Sequence, residues 1–326
     1  MSQIQMNVLA CGTAVQNTGL PTCVFNPSNF AGAVLIPKGT TYTATQLLTF
    51  KTVLADAIAN DNVSERIFPI KTFEGLEDKS TEGVMEETKY GGKRKVRDGK
   101  YAWYFSYTNG ATSLHKALKS FDNQQDAYDV MFIDRVNNGL VGVTSGEYAT
   151  LFGGFDLELL DIPNLKINDG SVGTTYSIGF NLENSDEVNL YIAIVQFESS
   201  WSVLRNLSGL KNIEIGIYEG LGAGTAGTIK FKLTNGGTDL ADYYSTELAT
   251  ASLYTATNTT TGLGVTITSC TYVAATKTFN VLLSAVDPDY PAVDGLITIT
   301  IGEVSDLVTA GVVGYGNATV TTARVA

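Results

Sequence analysis

Few residues in this chain have the types and spacing that catalysis requires. The only histidine, His115, lies beside Lys116, and no serine, cysteine or carboxylate stands near it at the spacing of a catalytic motif. Glu86 and Glu87 are neighbours, so on a strand they would point to opposite faces and could not flank one glycosidic bond. The sequence therefore predicts a protein that is not an enzyme and has no catalytic residues; a general-base role for His115 is the weaker alternative.

Motifs for metals and cofactors are also incomplete. Asp287, Asp289 and Asp294 resemble part of a calcium loop but lack its repeated Asp, Asn and Gly spacing. Glycines 220, 222 and 224 lack the phosphate-binding strand and helix that must surround such glycines in a dinucleotide site. The sequence predicts neither a metal nor a cofactor.

Three cysteines do not form a disulfide framework. Cys11, Cys23 and Cys270 are odd in number and have no metal-ligand spacing. Reduced thiols are the favoured interpretation in a cytosolic product, and a bridge between Cys11 and Cys23 stays open as the alternative.

Charge is concentrated in residues 74–100. The chain has a formal net charge of −12, yet six of its 21 basic residues fall within residues 89–100. These six residues are Lys89, Lys93, Arg94, Lys95, Arg97 and Lys100. The acidic residues that precede them are Glu74, Glu77, Asp78, Glu82, Glu86 and Glu87.

This segment is predicted to be a protruding hairpin with a basic tip at residues 91–99. Glycines flank the cations, and an aromatic strand follows. Opposite charges placed side by side favour docking on another copy of the chain. Contact with DNA and a merely solvated hairpin end are the two alternatives. An isoelectric point of about 4.6 argues against nucleic-acid binding by the whole surface.

Composition favours a mainly β fold. Charged residues make up only 17% of the 326 residues, and 16 Tyr and 14 Phe are spread along the chain. No run of about 20 apolar residues is present, and residues 1–12 lack the pattern of a secretory signal. We therefore expect a protein made in a cytosol, without a membrane partner.

The first part of the chain is predicted to be an arm followed by a β domain. Residues 1–42 are punctuated by Gly and Pro and are interpreted as an arm or connecting segment. Residues 43–218 are interpreted as a tube-like β domain with one or two short helices. Thr43 and Gln46 have capping-box spacing, and helical periodicity then continues to Asn60 and Asp61.

Period-two alternation predicts the strands of this domain. Rings alternate from Tyr101 to Tyr107, and a short helix capped by Thr112 follows them. We expect the hairpin to be supported internally by Trp103, Phe105, Leu114, Leu118 and Phe121.

Further strands are expected on either side of two turns. An Asn138-Gly139 pair predicts a tight hairpin turn. Strands at 178–182 and 188–194 are expected to pair antiparallel across a turn at residues 184–186. Residues 213–217 are expected to form another strand.

The last part of the chain is predicted to be a separate sandwich. Residues 219–225 are interpreted as a Gly-rich linker, and short alternating segments in 226–326 indicate an immunoglobulin-like β-sandwich. The Cys…Trp…Cys core pattern of that class is missing, and residues 239–254 have a helical pattern that is atypical for it.

The charged loop between strands, then a helix and returning strands, over residues 81–144, resembles the tail-tube subunits of tailed bacteriophages. An appended immunoglobulin-like domain is similar to that of some siphophage tube proteins. The resemblance is one of architecture and covers about half of the chain.

This resemblance implies a virion structural protein that assembles into hexameric rings. The rings stack through the long loop, and DNA only passes through their lumen. Such a protein is made in the host cytoplasm and then incorporated with other virion proteins. A capsid decoration protein or an adhesive, carbohydrate-binding virion protein is the alternative. The expected inter-subunit contacts are Lys93, Arg94, Lys95, Arg97, Lys100, Glu86 and Glu87.

Overall fold

The fold is mainly β, as the sequence predicts. The computed structural model describes residues 8–10, 26–71, 73–87, 89–107, 112–143, 151–166, 175–189, 192–197, 201–222 and 227–325. Cys11 and Cys23, for which reduced thiols are predicted and a bridge is the alternative, lie outside these residues. Contacts divide the chain into two compact units, Met1–Ile58 with Ser64–Ser208 and Ala59–Val63 with Gly209–Ala326.

Within the described residues, the first unit contains fourteen strands and five α-helices. Its strands are β1 (Val8–Ala10), β2 (Phe30–Pro37), β3 (Thr41–Thr43), β4 (Phe68–Lys71), β5 (Gly75–Asp78), β6 (Val84–Glu87), β7 (Lys93–Arg97), β8 (Ala102–Tyr107), β9 (Tyr128–Asp134), β10 (Asn138–Val143), β11 (Leu151–Gly153), β12 (Leu157–Asp161), β13 (Tyr176–Leu182) and β14 (Ile192–Gln196). Its helices are α1 (Ala44–Leu48), α2 (Phe50–Ile58), α3 (Thr112–Lys119), α4 (Ser185–Asn189) and α5 (Val203–Asn206).

Two antiparallel sheets enclose the core of this unit. The larger sheet has the order β1-β14-β10-β9-β2-β4, with β11 and β3 attached through β10, and the smaller has the order β12-β13-β8-β5. Phe132 on β9 stacks on Phe30 at 4.8 Å and meets Trp103 and Phe180 edge-on at 5.4 Å. Because Trp103 and Phe180 belong to the smaller sheet, these rings join the two sheets in one core.

The prediction that residues 1–42 form an arm is wrong for β2. This strand lies between β9 and β4 in the larger sheet, and its residues from Phe30 to Ile36 are all buried. Both faces of the strand are covered, so its sequence is a continuous apolar run without alternation. The surrounding glycines and prolines therefore gave a misleading indication.

The predicted cap of the first helix is confirmed. The Gln46 amide donates to Thr43 Oγ1 at 3.2 Å, and the Thr43 amide donates to Gln46 Oε1 at 2.8 Å. Helix α1 ends at the C-cap Thr49, and the chain continues as α2, which buries Phe50, Leu54 and Ile58. The capping box thus sets the start of the helical segment, as its spacing predicts.

Two predicted turns differ in the structure. Asn138 and Gly139 lie within β10, and the turn precedes them at residues 135–137, where Asn137 has a φ of 70°. Asp134 Oδ1 accepts hydrogen bonds from the amides of Val136 and Asn138 and fixes that turn.

The expected pairing of strands 178–182 and 188–194 is also wrong. Asn184 Oδ1 accepts from the Asp186 amide at 2.9 Å, and the helix α4 begins there. The chain then leaves the smaller sheet, and β14 pairs with β10 and β1 in the larger one. Acidic residues in the first turn of α4 favour the helix over a strand.

The second unit is a sandwich of two antiparallel sheets around its own core. Its strands are β15 (Glu214–Glu219), β16 (Gly227–Asn235), β17 (Thr238–Asp239), β18 (Tyr254–Asn258), β19 (Gly264–Val265), β20 (Ile267–Val273), β21 (Thr278–Leu283), β22 (Leu296–Ile301) and β23 (Ala318–Ala323). The sheets have the orders β15-β16-β21-β20, with β17 beside β16, and β19-β18-β22-β23. Helices α6 (Ala241–Tyr244) and α7 (Val304–Thr309) complete it. The immunoglobulin-like topology stays a prediction.

The predicted boundary between the domains requires correction. β15, assigned from sequence to residues 43–218, pairs with β16 of the second unit. Leu221, inside the proposed linker 219–225, is completely buried in the core of that unit. The described part of this segment is therefore a connection within the sandwich. Residues 59–63 also belong to this unit, because Asp61 accepts hydrogen bonds from the Ser305 amide and hydroxyl at the start of α7.

The burial of β2 gives a test of the corrected fold. Leu35 is fully buried, so Leu35→Ala should lower the free energy of unfolding by about 2–5 kcal/mol. Urea unfolding followed by tryptophan fluorescence measures this unit, since Trp103 and Trp201 are the only tryptophans. Val136→Ala is the matched control: its side chain is exposed, and its effect should stay within about 0.5 kcal/mol. Equal effects of the two substitutions would contradict the placement of β2.

Candidate docking surface

The charged segment forms a hairpin that stands outside both sheets of the first unit. β6 and β7 pair antiparallel in a separate two-stranded sheet, and every residue of the two strands is exposed. A two-stranded hairpin without a hydrophobic face is at best marginally stable in water. We call residues 84–97 the docking hairpin.

Acidic and basic residues of the docking hairpin pair with each other. Glu86 lies directly opposite Arg94, and its Oε2 accepts from Arg94 Nε at 3.0 Å and contacts Nη2 at 2.9 Å. Glu87 lies opposite Lys93. The acids expected to attract a second copy are therefore next to cations of their own hairpin. Exposed pairs of this kind contribute only about 0.2–1 kcal/mol.

Two cations on β7 remain available for a partner. Lys95 contacts Asp98, and Lys100 Nζ contacts Glu158 Oε1 at 2.6 Å. Within the described residues, Lys93 and Arg97 form no ion pair within 4.0 Å, and both side chains are exposed. A bulge between the Val84 and Met85 pairings places Arg97 opposite Val84.

The basic residues lie along a strand instead of at the tip. The tip contains Tyr90 and Gly91, and Gly91 has a φ of 78°, a conformation that glycine adopts without strain. Lys93, Arg94, Lys95 and Arg97 follow on β7. The predicted basic tip is thus a basic strand.

Exposed apolar side chains accompany these cations. The exposed fractions are 42% for Val84, 60% for Met85, 100% for Tyr90 and 56% for Val96. Four large apolar groups exposed on one short hairpin lower solubility, and clusters of this kind mark interaction surfaces. The charge pattern of the sequence gives no indication of these side chains.

The base of the docking hairpin is tightly fixed. The Thr81 amide donates to the Lys100 carbonyl, and the Lys100 amide donates to Thr81 Oγ1, both at 2.9 Å. A Cβ on Gly99 would lie 1.7 Å from the Thr81 carbonyl oxygen, so only glycine permits this approach. The hairpin therefore leaves the fold from a defined position.

Most of the predicted internal supports lie where the sequence placed them. Trp103 and Phe105 are buried on β8, and Leu118 is buried on α3. Phe121 is half-buried and packs on Phe68 at 4.9 Å. Leu114, however, is 40% exposed.

An open groove of about 510 Å³ lies beside the base of the docking hairpin. Lys79 Nζ lies 4.0 Å from the centre of the Tyr104 ring, and Tyr104 donates to Asp161 Oδ2 at 2.9 Å. The groove is lined by Lys79, Thr81, Arg97, Asp98, Lys100, Tyr101, Ala102, Tyr104, Glu158 and Asn181. Its walls carry both signs of charge, which suits a polar partner segment.

A second group of ionisable residues was not predicted from sequence. Asp129 on β9, Asp156 after β11, Glu183 after β13 and Glu187 on α4 form what we call the carboxylate cluster. Asp129 is only 4% exposed; its Oδ2 accepts from the Gly39 amide at 2.8 Å, while its Oδ1 has no hydrogen-bond partner in the described chain. Glu187 Oε2 accepts from the Asp156 amide at 3.0 Å.

Little positive charge offsets this cluster. Among the described residues, Lys38 provides the positive charge, with its Nζ at 4.0 Å from Asp156 Oδ1 and 3.9 Å from Glu183 Oε2. Burial, followed by the negative charge of Asp156, raises the pKa of Asp129 above its usual range. Burial also raises the pKa of Glu187 to about 7, and Asp156, Asp129 and Glu183 add to the increase.

The remaining candidates for chemistry have structural surroundings. His115 packs 5.3 Å from the Tyr176 ring. Asp287 accepts from the amide and hydroxyl of Thr266 and also from the Asp289 amide, and the last contact has the geometry of a turn. Burial raises the pKa of the Cys270 thiol to about 12, so this thiol is unreactive. Within the described ranges, no group of three or more His, Cys, Asp or Glu residues is arranged to hold a metal ion.

Comparison with models of known protein families found no match, and comparison with curated protein sequences found none either. In the part of the chain that the structure describes, no helix has the length and apolar character needed to cross a membrane.

The role of Gly99 can be tested by a single methyl group. Gly99→Ala should separate Thr81 from Lys100 and remove two hydrogen bonds at the hairpin base, one between backbone groups and one to the Thr81 hydroxyl. Each hydrogen bond contributes about 1 kcal/mol, so the population of the open hairpin should increase about tenfold or more. Trypsin should then cleave at Lys93–Arg97 correspondingly faster. Gly216→Ala, where a Cβ meets nothing within 4 Å, is the control. An unchanged cleavage rate would show that the base is not fixed by this contact.

Proposed function

We propose that this protein is a self-assembling structural subunit of a bacteriophage virion, of the tail-tube type, and that the docking hairpin joins one copy to the next. The observation that supports the proposal is the complete exposure of both hairpin strands, which carry apolar side chains as well as cations. A segment with these properties gains stability when a partner covers it.

Charge favours another copy of this chain as the partner. Each copy has a formal net charge of −12, while six of its 21 basic residues lie in residues 89–100. The hairpin of one copy thus meets a surface of opposite sign on the next, and such complementarity directs association. In this proposal the chain contacts DNA only in transit, because an acidic surface does not hold phosphates.

The type of contact favours an extended assembly. A hairpin that docks on a different surface of its neighbour makes a head-to-tail interface, which produces closed rings or open stacks. Stacked rings with an unobstructed lumen are the assembly that the resemblance to tail-tube subunits implies. The hexameric number of the ring and the location in a virion belong to the same proposal.

Removing positive charge from the docking hairpin should prevent assembly. The variant Lys93→Gln, Lys95→Gln, Arg97→Gln keeps the Glu86–Arg94 pair, so the hairpin itself should form. We expect small species in sedimentation velocity and no rings or tubes in negative-stain images, with an unchanged thermal midpoint. Wild-type assemblies should also weaken as salt screens the contact.

The matched control removes the same charge elsewhere. Lys51, Lys116 and Lys166 are exposed cations outside the hairpin, and Gln at all three should leave assembly intact. Normal tubes from the hairpin variant, or equal loss of assembly in both variants, would contradict the proposal.

A further inference from the structure

The carboxylate cluster is unusual because it puts an uncompensated acid inside the larger sheet. Asp129 lies on β9, a central strand, and is 4% exposed. When ionised, its Oδ1 can only accept a hydrogen bond, and no donor in the described chain reaches it. When protonated, the same carboxyl group gains a hydroxyl that can donate to the adjacent Asp156 carboxylate.

The groups around Asp129 come from each element packed against it. Lys38 and the Gly39 amide follow β2, Asp156 follows β11, Glu183 follows β13 and Glu187 lies on α4. One lysine at 3.9–4.0 Å from two of these carboxylates cannot neutralise four acids. The fully ionised cluster is therefore repulsive, and protons relieve it.

The cluster is connected to the base of the docking hairpin through α4. Glu187 and Asn189 are two residues apart on this helix. Asn189 Oδ1 accepts from the Tyr101 hydroxyl at 2.6 Å, and the Tyr101 carbonyl accepts from the Leu182 amide at 2.9 Å. Tyr101 directly follows Lys100, which is hydrogen-bonded to Thr81 at the hairpin base.

We propose that the carboxylate cluster is a proton-operated latch: while it holds its protons, α4 and the hairpin base are fixed, and when the protons are lost, both loosen. Docking of one copy on the next then depends on pH, a part of the inference that rests on the proposed function. The latch itself does not.

The direction of the pH dependence follows from which state binds protons. The unfolded chain loses the protons of Asp129 and Glu187 near the ordinary values of 3.8 and 4.5, whereas the folded unit keeps them to higher pH, with the pKa of Glu187 at about 7. The folded state thus binds more protons between these limits, so the contribution of these two groups to stability is full below about pH 4 and decreases as pH rises to about 7.

Other shifted acids act in a separate range. Hydrogen bonds from Lys119 and the Ile162 amide hold the pKa of Asp122 below its usual value, despite the opposing effect of burial. Its stabilising contribution is complete above the ordinary value of 3.8 and is lost only below it. Measurements between pH 5 and pH 8 therefore report the latch.

The first experiment measures thermal unfolding of the full chain by tryptophan fluorescence. We expect the midpoint of the first unit to fall by about 5 °C or more between pH 5 and pH 8. Asp129→Asn with Glu187→Gln keeps both side chains neutral, and its midpoint should lose most of this dependence. Asp56→Asn with Asp126→Asn removes the same charge at exposed positions and should behave like wild type. Glu187→Gln alone serves if the double variant does not fold.

The second experiment measures hydrogen exchange of peptides covering residues 79–101 at pH 8, on dissociated protein. Exchange in wild type should be about tenfold faster than in the double variant. Because both proteins are measured at one pH and have the same intrinsic exchange rate, the difference reports how often the hairpin base opens. Asn189→Ala removes the Tyr101 contact and should speed hairpin exchange without changing the pH dependence of the midpoint.

Persistence of the pH-dependent midpoint in the neutral variants, or equal hairpin exchange in wild type and the double variant, would overturn the latch. Neither readout requires assembly. Failure of the docking hairpin to mediate assembly would overturn the proposed function and leave these two results as they stand.

Discussion

Aromatic packing between two sheets is the interaction on which the first unit depends. Phe132 stacks on Phe30 and meets Trp103 and Phe180 edge-on, so one ring contacts both sheets. Large buried rings contribute more apolar area than any other side chains, and their mutual angles restrict how the sheets pack. Trp103 lies on β8, the next strand in the chain after the docking hairpin. The core therefore also fixes the position from which the hairpin leaves the fold.

Stability is distributed unevenly between this core and the docking hairpin. The rings are almost completely buried, whereas the hairpin strands have no buried residue and are held by backbone pairing and exposed ion pairs. Exposed ion pairs are individually weak and are screened by salt. Segments with few buried contacts open locally at low free energy, and functional elements are commonly of this type. This contrast is the physical basis for treating the hairpin as a binding element.

Asp129 shows the opposite departure, a charged group where the fold favours an apolar one. An uncompensated buried carboxylate is costly, so the folded unit retains protons that the unfolded chain would release. The buried carboxylate lies on a central strand. The short helix α4, which carries Glu187, connects the cluster to Asn189 and Tyr101. A buried carboxyl group that costs stability on a central strand is consistent with a functional role for its protonation.

The sequence by itself determined the elements whose residues alternate or cap locally. The rings of β8, the capping box of Thr43 and the concentration of cations on the hairpin were all predicted, because each is a short-range pattern. β2 was missed because both of its faces are buried, and α4 because Asn184 begins a helix where apolar alternation indicated a strand. Only the tertiary structure paired Glu86 with Arg94 and assembled the carboxylate cluster. The cluster joins Asp129 and Glu187 from separate elements, and such proximity depends on how sheets and helices pack, which no local pattern encodes.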